Sequence, residues 1–115
     1  MLDSRQFALE PSEDPRGYRL VIRGELDILQ RDATETALIL AELTAGERML
    51  ILDLRQLEYC GSVAIPLFSA SAERTARQKG RRLLILPSAA VSRLFDLAEV
   101  TELFDIELPD SADGS

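Results

Sequence analysis

The tightest constraint on the fold comes from two short, almost wholly apolar runs, Met49-Leu50-Ile51-Leu52-Asp53 and Leu83-Leu84-Ile85-Leu86. A half-solvated strand alternates apolar and polar residues, so a run this short without alternation fits a strand covered on both faces. Each run follows a longer stretch with helical spacing and leads toward another. That repetition predicts an α/β arrangement, a mixed sheet of about four to five strands overlaid by helices. The chain has 115 residues, 46% of them hydrophobic, which suffices for one core of this kind and not for two.

Read along the chain, residues 6–10 form a candidate edge strand. The turn-forming cluster Pro11-Ser12-Glu13-Asp14-Pro15-Arg16-Gly17 separates it from Tyr18-Arg19-Leu20-Val21-Ile22-Arg23, and the two segments predict a hairpin. Gly24-Glu25-Leu26-Asp27 closes the second strand. Asp32 or Thr34 can cap a helix running to about Ala45, with Ala37, Leu38, Ala41 and Leu43 as its buried stripe and Gly46 as its stop. Residues 49–53 are then a central strand, and residues 54–61 a loop.

A second helix is predicted over residues 62–79, burying Ala64, Leu67, Phe68, Ser71, Ala72, Thr75 and Ala76, with Gly80 at its end. Pro66 is compatible with it only in the first turn, where few intrahelical donors are lost. Residues 82–86 form the next strand. Pro87-Ser88 introduces a third helix over residues 89–98, with Val91, Leu94, Phe95 and Ala98 on one side, and residues 103–108 add a last strand or extended cover. The folded domain is expected over residues 1–108. The acidic end, residues 109–115, has no large apolar side chain to bury and is expected to fray, as are residues 1–5.

Composition narrows the function. Lys and Arg number 13 against 20 Asp and Glu, a formal charge of -7, which opposes the phosphate-backbone attraction that nucleic-acid binding needs. There is no histidine, so the commonest transition-metal ligand and the usual near-neutral proton shuttle are both missing. The single cysteine, Cys60, can form no intrachain disulfide. No apolar run approaches the roughly 20 residues that cross a bilayer, and the N-terminus lacks a secretory layout. A cytoplasmic protein without metal, cofactor, membrane insertion or direct nucleic-acid contact is therefore expected.

The search for catalytic residues returns none. Without histidine there is no Ser-His-Asp or Cys-His arrangement, and no GxxxxGK[ST] or GxGxxG loop is present. Cys60 has no Lys or Arg beside it in sequence to lower its thiol pKa, and reads as a small buried hydrophobe. Glu25 and Asp27 could share one strand face as an acid-base pair or a polar contact for a partner, but they also read as a charged turn leading into the first helix. Ser62, where strand and loop give way to helix, reads as an N-cap. If its hydroxyl also faces solvent, a phosphate there would add about -1.5 to -2 charges beside a helix N-terminus, switching a binding face without disturbing the fold.

The run Gly24-Glu25-Leu26-Asp27, the strand ending at Asp53 followed by Leu57, Tyr59 and Ser62, and Val91-Ser92-Arg93-Leu94-Phe95-Asp96-Leu97 before Phe104-Asp105-Ile106 resemble the STAS domain of anti-sigma factor antagonists. The resemblance spans residues 6–108. It implies a small mixed sheet with helices packed mainly on one side. It also implies a protein that binds an anti-sigma factor with serine-kinase activity, is phosphorylated by it, and is restored by a serine phosphatase. Carried over by motif, the phosphorylated serine is Ser62, and the partner-binding face includes Gly24, Glu25, Leu26, Asp27, Gly61, Ser62 and Val63. The antagonists open this helix with an Asp-Ser-Ser/Thr-Gly type of sequence, whereas this chain has Gly61-Ser62-Val63-Ala64, and Glu99 stands where many members have glycine. Two functions stay open: a phosphorylation-controlled antagonist, and an unphosphorylated STAS interaction subunit of a larger signalling or transporter assembly.

Overall fold

A computed structural model describes residues 6–108. Its elements in chain order are β1 (Ala8–Asp14), β2 (Gly17–Leu26), α1 (Arg31–Ala45), β3 (Met49–Leu54), β4 (Leu57–Cys60), α2 (Ala64–Lys79), β5 (Leu83–Pro87), α3 (Ala89–Ala98) and β6 (Phe104–Ile106), with short 3-10 helices at Ile28–Gln30 and Thr101–Leu103. Residues 1–5 and 109–115, expected to fray, lie outside the described residues.

The strands lie in the order β1-β2-β3-β5-β6, and β4 pairs with the far end of β2. β1 is antiparallel to β2, with Ala8 opposite Arg23 and Asp14 opposite Gly17, while β2, β3, β5 and β6 are mutually parallel. Parallel neighbours need crossovers, here through α1, α2 and α3. Because β2, β3, β5 and β6 are added in one direction across the sheet, right-handed crossovers place all three helices on the same face.

The core lies between that face and the helices. Leu20, Ile22 and Leu26 of β2, Leu50, Leu52 and Leu54 of β3 and Leu83 and Ile85 of β5 meet Leu38 and Ala41 of α1, Leu67 and Phe68 of α2 and Val91 and Phe95 of α3. Phe95 stacks on Phe104 with ring centroids 4.9 Å apart and takes Phe68 edge-on at 6.2 Å. The opposite face of the sheet holds a smaller cluster of Ile51, Leu84 and Leu86, flanked by Met49. The apolar runs of β3 and β5 are thus buried on both faces although the helices occupy only one.

Several expectations change. The first strand starts and ends later than residues 6–10, and Pro11, Ser12 and Glu13 lie within it, so the hairpin turn contracts to Pro15-Arg16. An edge strand tolerates proline because one side of it needs no donor. The sheet has six strands because Leu57–Cys60, within the expected loop, is β4; only Leu57 in it is buried, so it carried no apolar run.

The cap of the first helix is neither Asp32, which is exposed, nor Thr34, which is buried and donates its hydroxyl to the Gln30 carbonyl at 2.7 Å. Leu43 is exposed, while Thr34, Glu42 and Ala45 join Leu38 and Ala41 on the buried face. α2 begins at Ala64, not Ser62, which leaves Pro66 in its first turn as required, and Ala76 is exposed. α3 follows Ser88, whose hydroxyl oxygen accepts from the Val91 amide at 3.2 Å and donates to the Leu57 carbonyl at 2.8 Å.

Candidate functional site

The residues singled out in the sequence meet where β2 and β4 end. Gly24, at φ 95°, occupies a register shift where β2 leaves β3 and takes up β4, a backbone angle that glycine adopts without steric cost. The Gly24 amide donates to the Gln56 carbonyl at 3.0 Å. Beyond the shift, Glu25 lies opposite Tyr59 and Leu26 opposite Cys60. The Gly61 amide then donates to the Leu26 carbonyl at 2.9 Å and fixes the following loop against the end of β2.

Asp27 is the N-cap of the 3-10 helix that runs into α1. Its carboxylate accepts from the Leu29 amide at 3.0 Å, and its own amide donates to Gln30 Oε1 at 3.0 Å. This reciprocal pair is a capping box, which fixes the turn locally. It supports the charged-turn reading of Asp27, and it holds Ile28 and Leu29 in solvent at 67% and 85% exposure.

Ser62 is exposed, and its hydroxyl makes no hydrogen bond among the described residues. It does not cap α2. The N-cap position falls on Val63, whose side chain provides no capping oxygen, and the first amides are satisfied by backbone instead: Ala64 donates to the Gly61 carbonyl at 3.0 Å and Ile65 to the Ser62 carbonyl at 3.1 Å. Val63 is half-buried against the core, so the apolar side chain after Ser62 is mostly removed from the surface. Asp27, Ile28, Tyr59, Gly61, Ser62, Val63 and Pro66 together line an open depression of about 500 Å3.

Of the expected face, Asp27, Gly61, Ser62 and Val63 converge on this depression, and Glu25 lies half-buried beside Tyr59. Gly24 and Leu26 are buried and support the face from behind. Sequence reasoning missed Ile28, Leu29 and Pro66 as surface groups. The available signal was a pair of large aliphatics directly after a capping Asp, at a position where no core pattern had yet begun.

No cation lines the depression, so its chemistry is the hydroxyls of Ser62 and Tyr59, one carboxylate already engaged by a backbone amide, and an apolar rim. Burial pushes the Cys60 thiol up to about 12, far from a reactive thiolate. Among the described residues no group of three His, Cys, Asp or Glu side chains could hold a metal ion, and no helix is long and apolar enough to cross a membrane.

The family model of the STAS domain matches residues 10–111, and the chain belongs to this family. Its fold is that of the anti-sigma factor antagonists. An anti-sigma factor antagonist from Mycobacterium paratuberculosis superposes with a TM-score of 0.79 at 18% identity, covering 92% of this chain and 89% of the other. An anti-sigma-factor antagonist (STAS) domain protein from Planctomyces limnophilus gives 0.69 at 14% identity, covering 88% and 90%. The Bacillus cell fate determinant SpoIIAA in its phosphorylated form gives 0.60 at 20% identity, covering 93% and 97%. No curated protein matches the sequence.

Proposed function

We propose that the protein is a cytoplasmic anti-sigma factor antagonist acting by partner switching. The face around Ser62 binds an anti-sigma factor that is also a serine kinase; phosphorylation of Ser62 ends the interaction and a serine phosphatase restores it. The observation that carries this reading is the exposed Ser62 hydroxyl, free of hydrogen bonds among the described residues, in a depression bordered by exposed Ile28 and Tyr59. Exposed aliphatic and aromatic side chains beside a polar centre are suited to a protein partner. A phosphate would bring about -1.5 to -2 charges next to Asp27 with no lining cation to offset them. Its field would be felt by a docked partner, whereas the core behind Val63 needs no rearrangement.

A second reading rests on the run Gly61-Ser62-Val63-Ala64, in which the apolar Val63-Ala64 replaces the second hydroxyl and glycine, and Gly61 the acid, that the resemblance to the antagonists implies. It makes the protein an unphosphorylated STAS interaction subunit of a larger signalling or transporter assembly. One experiment separates the two: intact mass and peptide fragmentation of the protein from its native cells, with pull-downs of the wild type, Ser62→Ala and Ser62→Asp. Phosphate on Ser62 and loss of a kinase partner by Ser62→Asp establish the switch. An unmodified Ser62 under several stress conditions, with one partner kept by all three forms, sinks it in favour of the subunit.

A further inference from the structure

Away from the Ser62 face, the most heavily engaged carboxylate between the helices is Glu42, which is 3% exposed on the inner side of α1. Its carboxylate accepts from the Ser71 hydroxyl at 2.6 Å and from Arg74 Nε and Nη2 at 2.7 and 2.9 Å. Lys79 Nζ donates to the Glu42 carbonyl at 3.1 Å and to the Gly46 carbonyl. Every side-chain hydrogen bond between α1 and α2 among the described residues ends on Glu42 or on the Gly46 cap just beyond it.

A buried ion pair of this kind adds little net stability over an apolar replacement, and its best-attested benefit is fixing register. The buried residues flanking Glu42, Ser71 and Arg74 most closely, Ala41 and Ala45 on α1 and Ala72 and Thr75 on α2, are small, and the large buried side chains Leu38, Leu67 and Phe68 lie about a turn closer to the helix starts. Small side chains let helices approach closely without interlocking at one angle, which leaves the angle to directional polar bonds.

The two helices begin at the candidate face, α1 directly after the Ile28–Gln30 turn and α2 directly after Ser62-Val63. At 1.5 Å per residue, the bonded pair lies about 16 Å along α1 from Arg31 and about 10–15 Å along α2 from Ala64. A change of angle at that level swings both helix starts, and the depression between Ile28 and Pro66 opens or narrows. We propose that Glu42 is a positioning residue for this face: through Ser71 and Arg74 it sets the angle at which α1 and α2 leave it, and so how far Ile28 and Pro66 stand apart above the Gly61–Leu26 bond that ties the two segments at their base. Its relevance to partner capture rests on the reading of Ser62 given above, but the geometric coupling does not.

Hydrogen exchange on the isolated protein tests the coupling. The amides of Asp27, Leu29, Gly61 and Ala64 all donate within the face, to Gln30 Oε1, Asp27 Oδ1, Leu26 and Gly61 respectively, and the amides of Leu50 and Leu52 in β3 report global unfolding. In Glu42→Ala and Arg74→Ala the four face amides should exchange roughly tenfold faster relative to β3. Glu42→Gln, whose one oxygen at the Oε2 position can keep the Ser71 and Arg74 Nη2 bonds while the Nε bond is lost, should restore part of the protection. Face amides that are unchanged, or that accelerate only in proportion to β3, overturn the proposal. Should Glu42→Ala not fold, Arg74→Ala decides alone, since it cuts the bonds from the half-buried side. No partner is present in this experiment, so failure of the Ser62 reading and failure of the coupling are seen separately.

Discussion

The Gly61 amide donates to the Leu26 carbonyl at 2.9 Å, tying the loop that presents Ser62 to the strand end that presents Asp27. These two residues are 35 positions apart in sequence, yet one backbone bond makes their neighbours a single surface. The bond uses only main-chain atoms, so it leaves the side chain at position 61 open to change.

A Cβ placed at Gly61 would meet the Tyr59 hydroxyl at 3.5 Å and the Leu26 carbonyl oxygen at 3.6 Å, ordinary contacts, and the residue is not among the glycines with positive φ. Gly61→Asp, which supplies the acid of the antagonist pattern, should therefore keep stability in urea within about 0.5 kcal/mol of wild type. If a kinase reads that acid, the phosphorylated fraction at Ser62, measured by mass spectrometry in native cells, should rise. An unchanged fraction would mean that the acid is not read.

Glu99 closes α3 in the left-handed conformation, φ 58° and ψ 40°, and is the one non-glycine residue with positive φ among those described. A side chain there costs about 1–2 kcal/mol, partly offset by the greater unfolded-state freedom of glycine. Glu99→Gly should raise the urea midpoint by an amount equivalent to about 0.5–1 kcal/mol, with no change in the slope of the transition.

Asp53, at the end of β3 and almost fully buried, accepts from Arg19 Nη1 at 2.7 Å and from Arg55 Nε and Nη2 at 2.9 and 2.7 Å. Burial raises its pKa, but hydrogen bonds from the Arg55 side chain and backbone and the charges of Arg55 and Arg19 outweigh burial and hold the carboxyl below its ordinary value. Asp14, whose carboxylate accepts from the Arg16 amide and from Arg19, is lowered too. A depressed folded pKa gives stability that is complete above the unfolded value near pH 3.9 and is lost as pH falls through the folded value. Unfolding free energy should thus be flat near neutrality and drop below about pH 4. Because Arg55 is half-exposed and Arg19 keeps Asp14, Asp53→Asn should lose about 1–3 kcal/mol at pH 7 and show a shallower acid limb; an acid limb identical to wild type would place the titration elsewhere.

With its thiol pushed up to about 12 by burial, Cys60 should stay protonated and react slowly with a thiol reagent at pH 8 in the native protein, and readily once the chain is unfolded in urea. Equal rates in both states would show that the thiol is accessible at the surface.

Much of the scaffold was legible in local sequence. The apolar run of β5, the Ser88 cap and bounds of α3, the Gly80 stop of α2, and the first-turn place of Pro66 all follow from spacing and capping chemistry within one or two helical turns. The same holds for the meeting of Asp27 with the start of α1, although the expected cap was placed several residues too late. Ser62 was singled out at the strand-to-helix junction as an N-cap whose hydroxyl would be a switch only if it faced solvent; it is exposed, but the capping bond is absent, because the turn Ser62-Val63 delays the helix and backbone carbonyls take the first amides.

What the amino-acid sequence determined by itself is therefore the alternation of strand and helix, the apolar stripes and most helix ends, since these depend on neighbours a few residues apart. Tertiary structure alone decided that the segment after β3 pairs with β2 as β4, that Glu42 is buried against Arg74, and that Asp53 joins Arg19 to Arg55. Each of these depends on a partner tens of residues away. A charged or aliphatic side chain carries no local mark of whether such a partner will arrive, and burial and pairing are set only when the sheet and helices close on one another.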